Sequence, residues 1–209
     1  MYTLYDMQVS GNCYKVRLML SLLGLPFESV MIAPTRGEAE TDAMLERNPN
    51  GKVPILMLPD GRPLAESNAI LLYLAEGADF LPDDRFARAV VNQWLFFEQY
   101  SHEPNIAVRI SLMTLPERAD QATEERMAAL LDGGNRALSV LNRQLAKTPY
   151  VAGSDFTVAD IALYAYTHEA EEGGFDLTAF PYIAPWLKRV AGRDRFVPID
   201  WTPPLAADR

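Results

Sequence analysis

Hydrophobic and polar positions change period along this chain, and the changes mark its elements. Tyr2-Thr3-Leu4-Tyr5 alternates among β-formers and predicts a strand over residues 2–6. After the turn-and-cap cluster Ser10-Gly11-Asn12, apolar residues return at Val16, Met19, Leu20 and Leu23. That spacing predicts a helix from about residue 11 to Gly24, with Pro26 just beyond its end. Residues 27–32 read as a second strand, which completes a βαβ unit. A weaker, polar helix over about 38–46 stops before Asn48-Pro49-Asn50-Gly51, a run of turn formers. Residues 53–58 read as a third strand, with Pro54 at its opening because proline has no N–H to give a ladder. A hairpin turn at 59–62 leads to a short fourth strand, Pro63-Leu64-Ala65. From Ser67, the apolar positions Ile70, Leu71, Leu74 and Ala75 recur at helical spacing up to Gly77.

Beyond Gly77 the strand signal is gone. Asp79-Phe80-Leu81-Pro82-Asp83-Asp84-Arg85 interrupts the pattern, and amphipathic segments follow at about 86–112, 117–146, 157–169 and 181–191. The expected organisation is an α/β domain over 1–78, a linker over 79–85 and an all-helical domain over 86–209. Its tail from Pro198 to Arg209 is expected to be irregular and pinned only locally. Composition limits the function. Nineteen Lys and Arg against 28 Asp and Glu give a net charge of -9, which repels nucleic acid and anionic lipid alike. One Cys makes no internal disulfide and two His make no His-rich metal site. No targeting segment and no apolar run long enough to span a bilayer is visible, so a cytoplasmic address is expected.

Three places offer chemistry. Ser10 stands at the mouth of the first helix, where a hydroxyl serves as a simple cap or, with the free N–H groups and the dipole, helps to stabilise an anion such as a thiolate. Pro54 is either an ordinary trans turn residue or a cis proline that turns the N–H and C=O of Val53 outward to pair with an extended peptide. Ser67, after Glu66, is either a second cap or a carboxylate holder at a second helix start. Together these suit a small, acidic, thiol-bearing peptide.

The residues that carry these features also carry a resemblance. Ser10 to Leu18 (SGNCYKVRL), Asn48 to Pro54 (NPNGKVP) and Glu66 to Leu74 (ESNAILLYL) resemble, in order and spacing, the amino-terminal motifs of cytosolic glutathione transferases, nearest to the serine-type theta, phi and nu branches. Tyr150 to Gly153 followed by Phe156 to Ala162 is similar to the capping box of that family's helical domain. There Thr157 and Asp160 exchange bonds while Phe156 and Ile161 form a staple. The resemblance implies a thioredoxin-like domain followed by a helical one, with Pro54 cis and Val53 pairing with the cysteinyl backbone of glutathione. It further implies that Glu66 and Ser67 hold the γ-glutamyl end, and that Lys52 reaches a ligand carboxylate. Glutathione is then a co-substrate, and no further cofactor or metal is implied. A small hydrophobic electrophile is expected between the domains, near Met7, Val9, Tyr100 and Asn105, and the assembly is expected to be a homodimer.

The family divides over the group that activates the thiol. Where some branches carry a Tyr at the end of the first strand, this chain has Asp6; Tyr5 is one residue earlier and should face the other way, as a core residue. Other branches use Ser or Cys at the helix mouth, and Ser10 stands there, with Asn12 as its most plausible assistant. Cys13 lies three residues into the helix and reads as a packed core residue. The requirement can be sized: lowering a thiol pKa from about 8.5 to about 6.5 costs near 2.7 kcal/mol and raises the thiolate at neutral pH from roughly 3% to 75%. One charge-assisted hydrogen bond contributes about 1.5–3 kcal/mol and the helix end up to about 1, so a donating Ser10 suffices. His102 reads as an exposed surface residue and His168 as part of a solvated acidic face. The alternatives within the fold are a glutathione-dependent peroxidase, isomerase or lyase, or a regulatory module without turnover. A glutaredoxin-like exchanger is disfavoured by Ser rather than Cys at the helix mouth.

Overall fold

A computed structural model gives the arrangement of residues 1–203. Contacts divide the chain into two units: Met1–Glu76 together with the segment beginning at Arg193, and Gly77–Gly192. The first unit holds a four-stranded sheet in the order β2-β1-β3-β4, formed by β1 (Tyr2–Asp6), β2 (Phe27–Met31), β3 (Ile55–Met57) and β4 (Pro63–Ala65). β1 and β2 run parallel, with Leu4 opposite Ser29, and β3 is antiparallel to both β1 and β4. Only three of the six residues expected for the third strand pair, because Pro54 gives no N–H and Leu58 already turns to the Arg62 carbonyl.

Helix α1 (Gly11–Leu23) opens on Ser10, whose Oγ accepts from the Cys13 N–H. It closes at Gly24 in the left-handed region, φ 65°, with the Gly24 N–H bonded to Leu20 and Ser21 carbonyls. A side chain at Gly24 would also meet the Arg195 guanidinium, the mobile end of a long side chain, so it is the left-handed backbone that demands glycine. From Cys13 through Leu20 every residue of α1 is buried, including Lys15 and Arg17. The polar segment expected over 38–46 is a 3-10 turn, Glu38–Glu40, followed by α2 (Asp42–Arg47). α3 (Ser67–Ala75) packs on α1.

The second unit is helical: α4 (Arg85–Phe97), α5 (Glu103–Thr114), α6 (Glu124–Leu145), α7 (Val158–Thr167) and α8 (Ile183–Ala191). The single helix expected over 86–112 is interrupted by a π-helical turn, Glu98–His102. Pro104 explains the break, since it has no N–H to offer Tyr100 and its ring crowds that carbonyl, so Glu103 bonds five residues back to Glu98 instead. α7 is buried at all ten positions and forms the centre of this unit, packing on α4 and α8. Its start is the expected box: the Thr157 Oγ1 accepts from the Ala159 N–H and Asp160 returns a bond to the Thr157 N–H at 3.0 Å. Phe156 and Ile161 are both buried there.

The tail departs from expectation. Rather than closing the helical domain, residues from Arg193 group with the first unit, to which Tyr14, Gln8 and Arg17 bond them. The irregular tail expected over 198–209 is described as far as residue 203; its last six residues lie outside the described part. Among the described residues no helix is long and apolar enough to cross a membrane.

Candidate functional site

Strand β1 ends at Asp6, and Ser10 closes the following turn through its N–H on the Met7 carbonyl at 2.9 Å. The Ser10 Oγ, half-buried, accepts from the Cys13 N–H at 3.3 Å. An oxygen used in that way keeps its own O–H for donation, and it does so at the positive end of a thirteen-residue helix. Met7 is half-buried and Val9 exposed in the same loop.

Asn12 is engaged away from Ser10. Its Oδ1 accepts from the Lys15 Nζ at 2.8 Å and from the Ser67 Oγ at 3.1 Å, and Lys15 also reaches Ser67 and Asn68 oxygens at 3.4 and 3.5 Å. Residues 52 apart in sequence are thereby joined, and the starts of α1 and α3 share a buried ammonium. The position before α3 is unusual as well. Glu66 is exposed and holds φ 67°, ψ 111°, a backbone conformation that a residue with a Cβ rarely adopts. Such outliers persist where surrounding structure enforces them and cluster at ligand sites.

The third feature lies on the loop into β3. The Val53–Pro54 peptide bond is cis, and among the described residues nothing hydrogen-bonds the main-chain N–H or carbonyl of Val53. Buried Asn48 shapes this loop, donating to the Lys52 carbonyl at 2.8 Å and accepting from the Asn50 N–H at 3.1 Å. The Lys52 side chain is left exposed. Ser10, Asn12, Lys52, Val53, Pro54, Glu66 and Ser67 thus all belong to the first unit.

Cys13 is excluded from solution chemistry. It is fully buried, the Met7 N–H points at its Sγ at 3.4 Å, and burial, with the Asp6 carboxylate second, pushes its thiol up to about 12. Tyr5 does face away from buried Asp6, but it is half-buried beneath the Arg47 guanidinium, 5.3 Å from the ring centre, rather than in the core.

In the helical unit, Tyr100 and Asn105 line one open groove of about 240 Å³ with Phe97, Ser101, Gly133 and Arg136. Asn105 is half-buried and donates to the Ser101 carbonyl at 2.7 Å, and Gly133 admits it because a Cβ there would strike the amide. Both histidine expectations are overturned. His102 is fully buried and bonded to Thr167 at 2.9 Å; Thr167 gives its own hydrogen to the Leu163 carbonyl, so the His102 Nε2 is the donor. His168 is half-buried and stacked on Tyr164 at 4.8 Å, and burial lowers its pKa.

The sequence reading gave no role to Lys15 or Arg17 and used Gln8 only as part of the 7–9 loop. Lys15 reaches Ser67, and Arg17 and Gln8 reach Ile199, so local pattern gives those bonds no signal. The one clue was two cations flanking Val16 inside an apolar helix. Among the described residues no three His, Cys, Asp or Glu side chains converge as a metal site would require.

Comparison with known proteins agrees with this arrangement. Residues 4–80 match the glutathione S-transferase N-terminal domain family and residues 124–189 its C-terminal domain family. The chain is 33% identical over 205 residues to glutathione S-transferase 3 of Zea mays, covering 92% of this chain and 90% of that protein. A crystal structure of a glutathione S-transferase from Pseudomonas fluorescens shares 49% identity at a TM-score of 0.92, covering 95% of this chain and 98% of that one. Another glutathione transferase family member from that organism, crystallised with two glutathione bound, shares 27% identity at a TM-score of 0.80 over 93% of this chain and 89% of its own. From its first strand to its last helix, the chain belongs to the glutathione S-transferase family.

Proposed function

We propose that the protein binds glutathione on its first unit and activates the thiol for attack on small hydrophobic electrophiles. The observation that carries this reading is Ser10: its oxygen accepts from the Cys13 N–H, leaving the O–H to donate to a thiolate at the mouth of α1. Val53 pairs with the cysteinyl backbone, Glu66 and Ser67 hold the γ-glutamyl end, and Lys52 meets a carboxylate. Asn12 acts from the Ser67 side, through its bond to that hydroxyl, rather than beside Ser10. With a net charge of -9, the protein needs such local donors and positive ends to admit an anionic tripeptide.

In the reaction the glutathione thiol gives its proton to solvent and the Ser10 hydroxyl holds the resulting thiolate. The sulfur then forms a bond to an electrophilic carbon; a leaving group such as halide departs with its electron pair, or the π pair of an activated double bond moves onto its activating group and the adjacent carbon takes a proton from solvent. For the electrophile, Met7 and Val9 are the proposed contacts on the first unit, and Tyr100 and Asn105, in their own groove, those on the second. A thiol-exchange reading through the protein's own sulfur is not supported, because Cys13 is buried and protonated. The proposed assembly is a homodimer in the cytoplasm; light scattering should give twice the chain mass at micromolar concentration, and a monomer would remove the dimer.

The test is conjugation of glutathione to chlorodinitrobenzene. Wild type should turn over, and Ser10→Ala should lower kcat/KM roughly ten- to a hundredfold, the weight of one charge-assisted hydrogen bond. No turnover by wild type in conjugation, with glutathione still bound, would favour a binding module.

A further inference from the structure

The segment that begins at Arg193 lies along α1 and the Ser10 loop with a two-residue rhythm. Ser21 donates to the Arg195 carbonyl at 2.8 Å and the Tyr14 hydroxyl to the Val197 carbonyl at 2.7 Å. The Gln8 amide donates to the Ile199 carbonyl at 2.6 Å and the Trp201 carbonyl at 3.3 Å. Two hydrogen-bonded turns shape the segment, the Phe196 N–H on the Arg193 carbonyl and the Trp201 N–H on the Pro198 carbonyl, both at 3.1 Å, and with Arg195 at φ 59° they leave the carbonyls of residues 195, 197, 199 and 201 bonded to the donors of α1 and its loop. Trp201 anchors the end, its ring 6.3 Å from that of Phe27 at a tilt of 52°.

Two of these bonds come from one donor in the loop that delivers Ser10, the Gln8 amide. Gln8 lies two residues before that serine, and the Gln8 carbonyl accepts from the Arg17 Nη2 at 2.7 Å. The same nitrogen reaches the Ile199 carbonyl at 3.0 Å, while Nη1 binds Asp6 at the end of β1 at 2.5 Å. Arg17 and Asp6 are both fully buried, and Ser29 supplies a further bond to the Asp6 Oδ2 at 3.0 Å. A guanidinium fork fixes direction as well as distance, so this one sets strand end, loop carbonyl and tail carbonyl in a single frame.

We propose that Gln8 and Arg17 are positioning residues for thiol activation, and that the segment 195–201 acts through them to hold the Ser10 hydroxyl in donating geometry. This inference rests on the reading of Ser10 given above. Hydrogen bonds to a developing charge are steep in distance, and a displacement near 1 Å costs up to about a hundredfold in rate. The γ-glutamyl end, held at Glu66 and Ser67, lies outside this frame, so binding and activation respond separately.

The experiment titrates the thiolate absorbance of bound glutathione in full-length wild type, Gln8→Leu, Trp201→Ala, Gln8→Lys and Ser10→Ala, with glutathione affinity and thermal midpoint measured in parallel. Gln8 is half-buried and Trp201 half-exposed, so both changes spare the core. Gln8→Leu and Trp201→Ala should raise the bound thiol pKa by about one unit and lower kcat/KM below that pKa about tenfold, with glutathione affinity within about twofold. Gln8→Lys, which restores an N–H donor, should return both values towards wild type. If Ser10→Ala raises the thiol pKa and Gln8→Leu and Trp201→Ala leave it at the wild-type value, the positioning role is overturned while the role of Ser10 stands, even if thermal midpoints fall. If Ser10→Ala also leaves it unchanged, both fail together.

Discussion

Ser10 and Cys13 sit one helical turn apart and have opposite chemistry. The serine oxygen caps α1 from a half-buried position, whereas the cysteine, three residues inward, has lost all contact with water. Burial raises its thiol from 9.0 to about 12, so the folded state favours the protonated form. The sign follows: this contribution to stability is fully present below pH 9 and is lost as pH rises through about 12. Wild type should therefore lose stability between pH 9 and pH 11 more steeply than Cys13→Ala, measured as the difference in denaturant midpoints. Native protein should also leave Ellman's reagent unreacted at pH 8. Rapid labelling of the folded state would contradict the burial. Ser10 and Glu66 were legible in the sequence because short motifs place them at helix starts. Lys15, Arg17 and His102 were not. Each is a buried polar residue whose bonding includes a partner 52, 182 or 65 positions away, beside the nearer Asn12 for Lys15 and Asp6 for Arg17, and no local window contains that distant partner.

Among the elements, the start of α7 gathers several polar bonds on one buried carboxylate. Asp160 accepts from the Val151 and Thr157 N–H groups, the Thr157 hydroxyl and the Trp186 indole, joining the preceding loop and α8 to one helix end. Burial pushes its carboxyl up to about 6 against the pull of these four donors. Asp160→Ala strands the donors and should cost about 3–5 kcal/mol in a denaturant titration; Thr157→Ala, which removes only the cap, should cost about 1. A loss below about 1 kcal/mol for Asp160→Ala would mean that the box is ornamental. This box was fully legible, since caps and staples are local in sequence. Helix breaks were less so. The single helix expected over 86–112 ran across Glu98–His102, where the reach of Pro104 back to the Tyr100 carbonyl interrupts it.

For the whole molecule, order of elements carried most of the information. A βαβ start, a β-hairpin and a run of amphipathic helices gave the fold class and a boundary two residues from the observed division at Glu76. The tail was misassigned because proximity in sequence favoured the helical unit. Its actual placement depends on carbonyls meeting Gln8, Tyr14 and Arg17, almost the full chain length away. That return joins the last described residues to the loop that carries the proposed thiol-activating hydroxyl. The most direct measurement is the pH dependence of far-ultraviolet thiolate absorbance for glutathione bound to wild type and to Ser10→Ala. The account predicts a bound thiol well below the pKa of free glutathione in wild type and a return towards the free value in the variant. A bound thiol that titrates like free glutathione in wild type, or one that stays low without the serine hydroxyl, would contradict it.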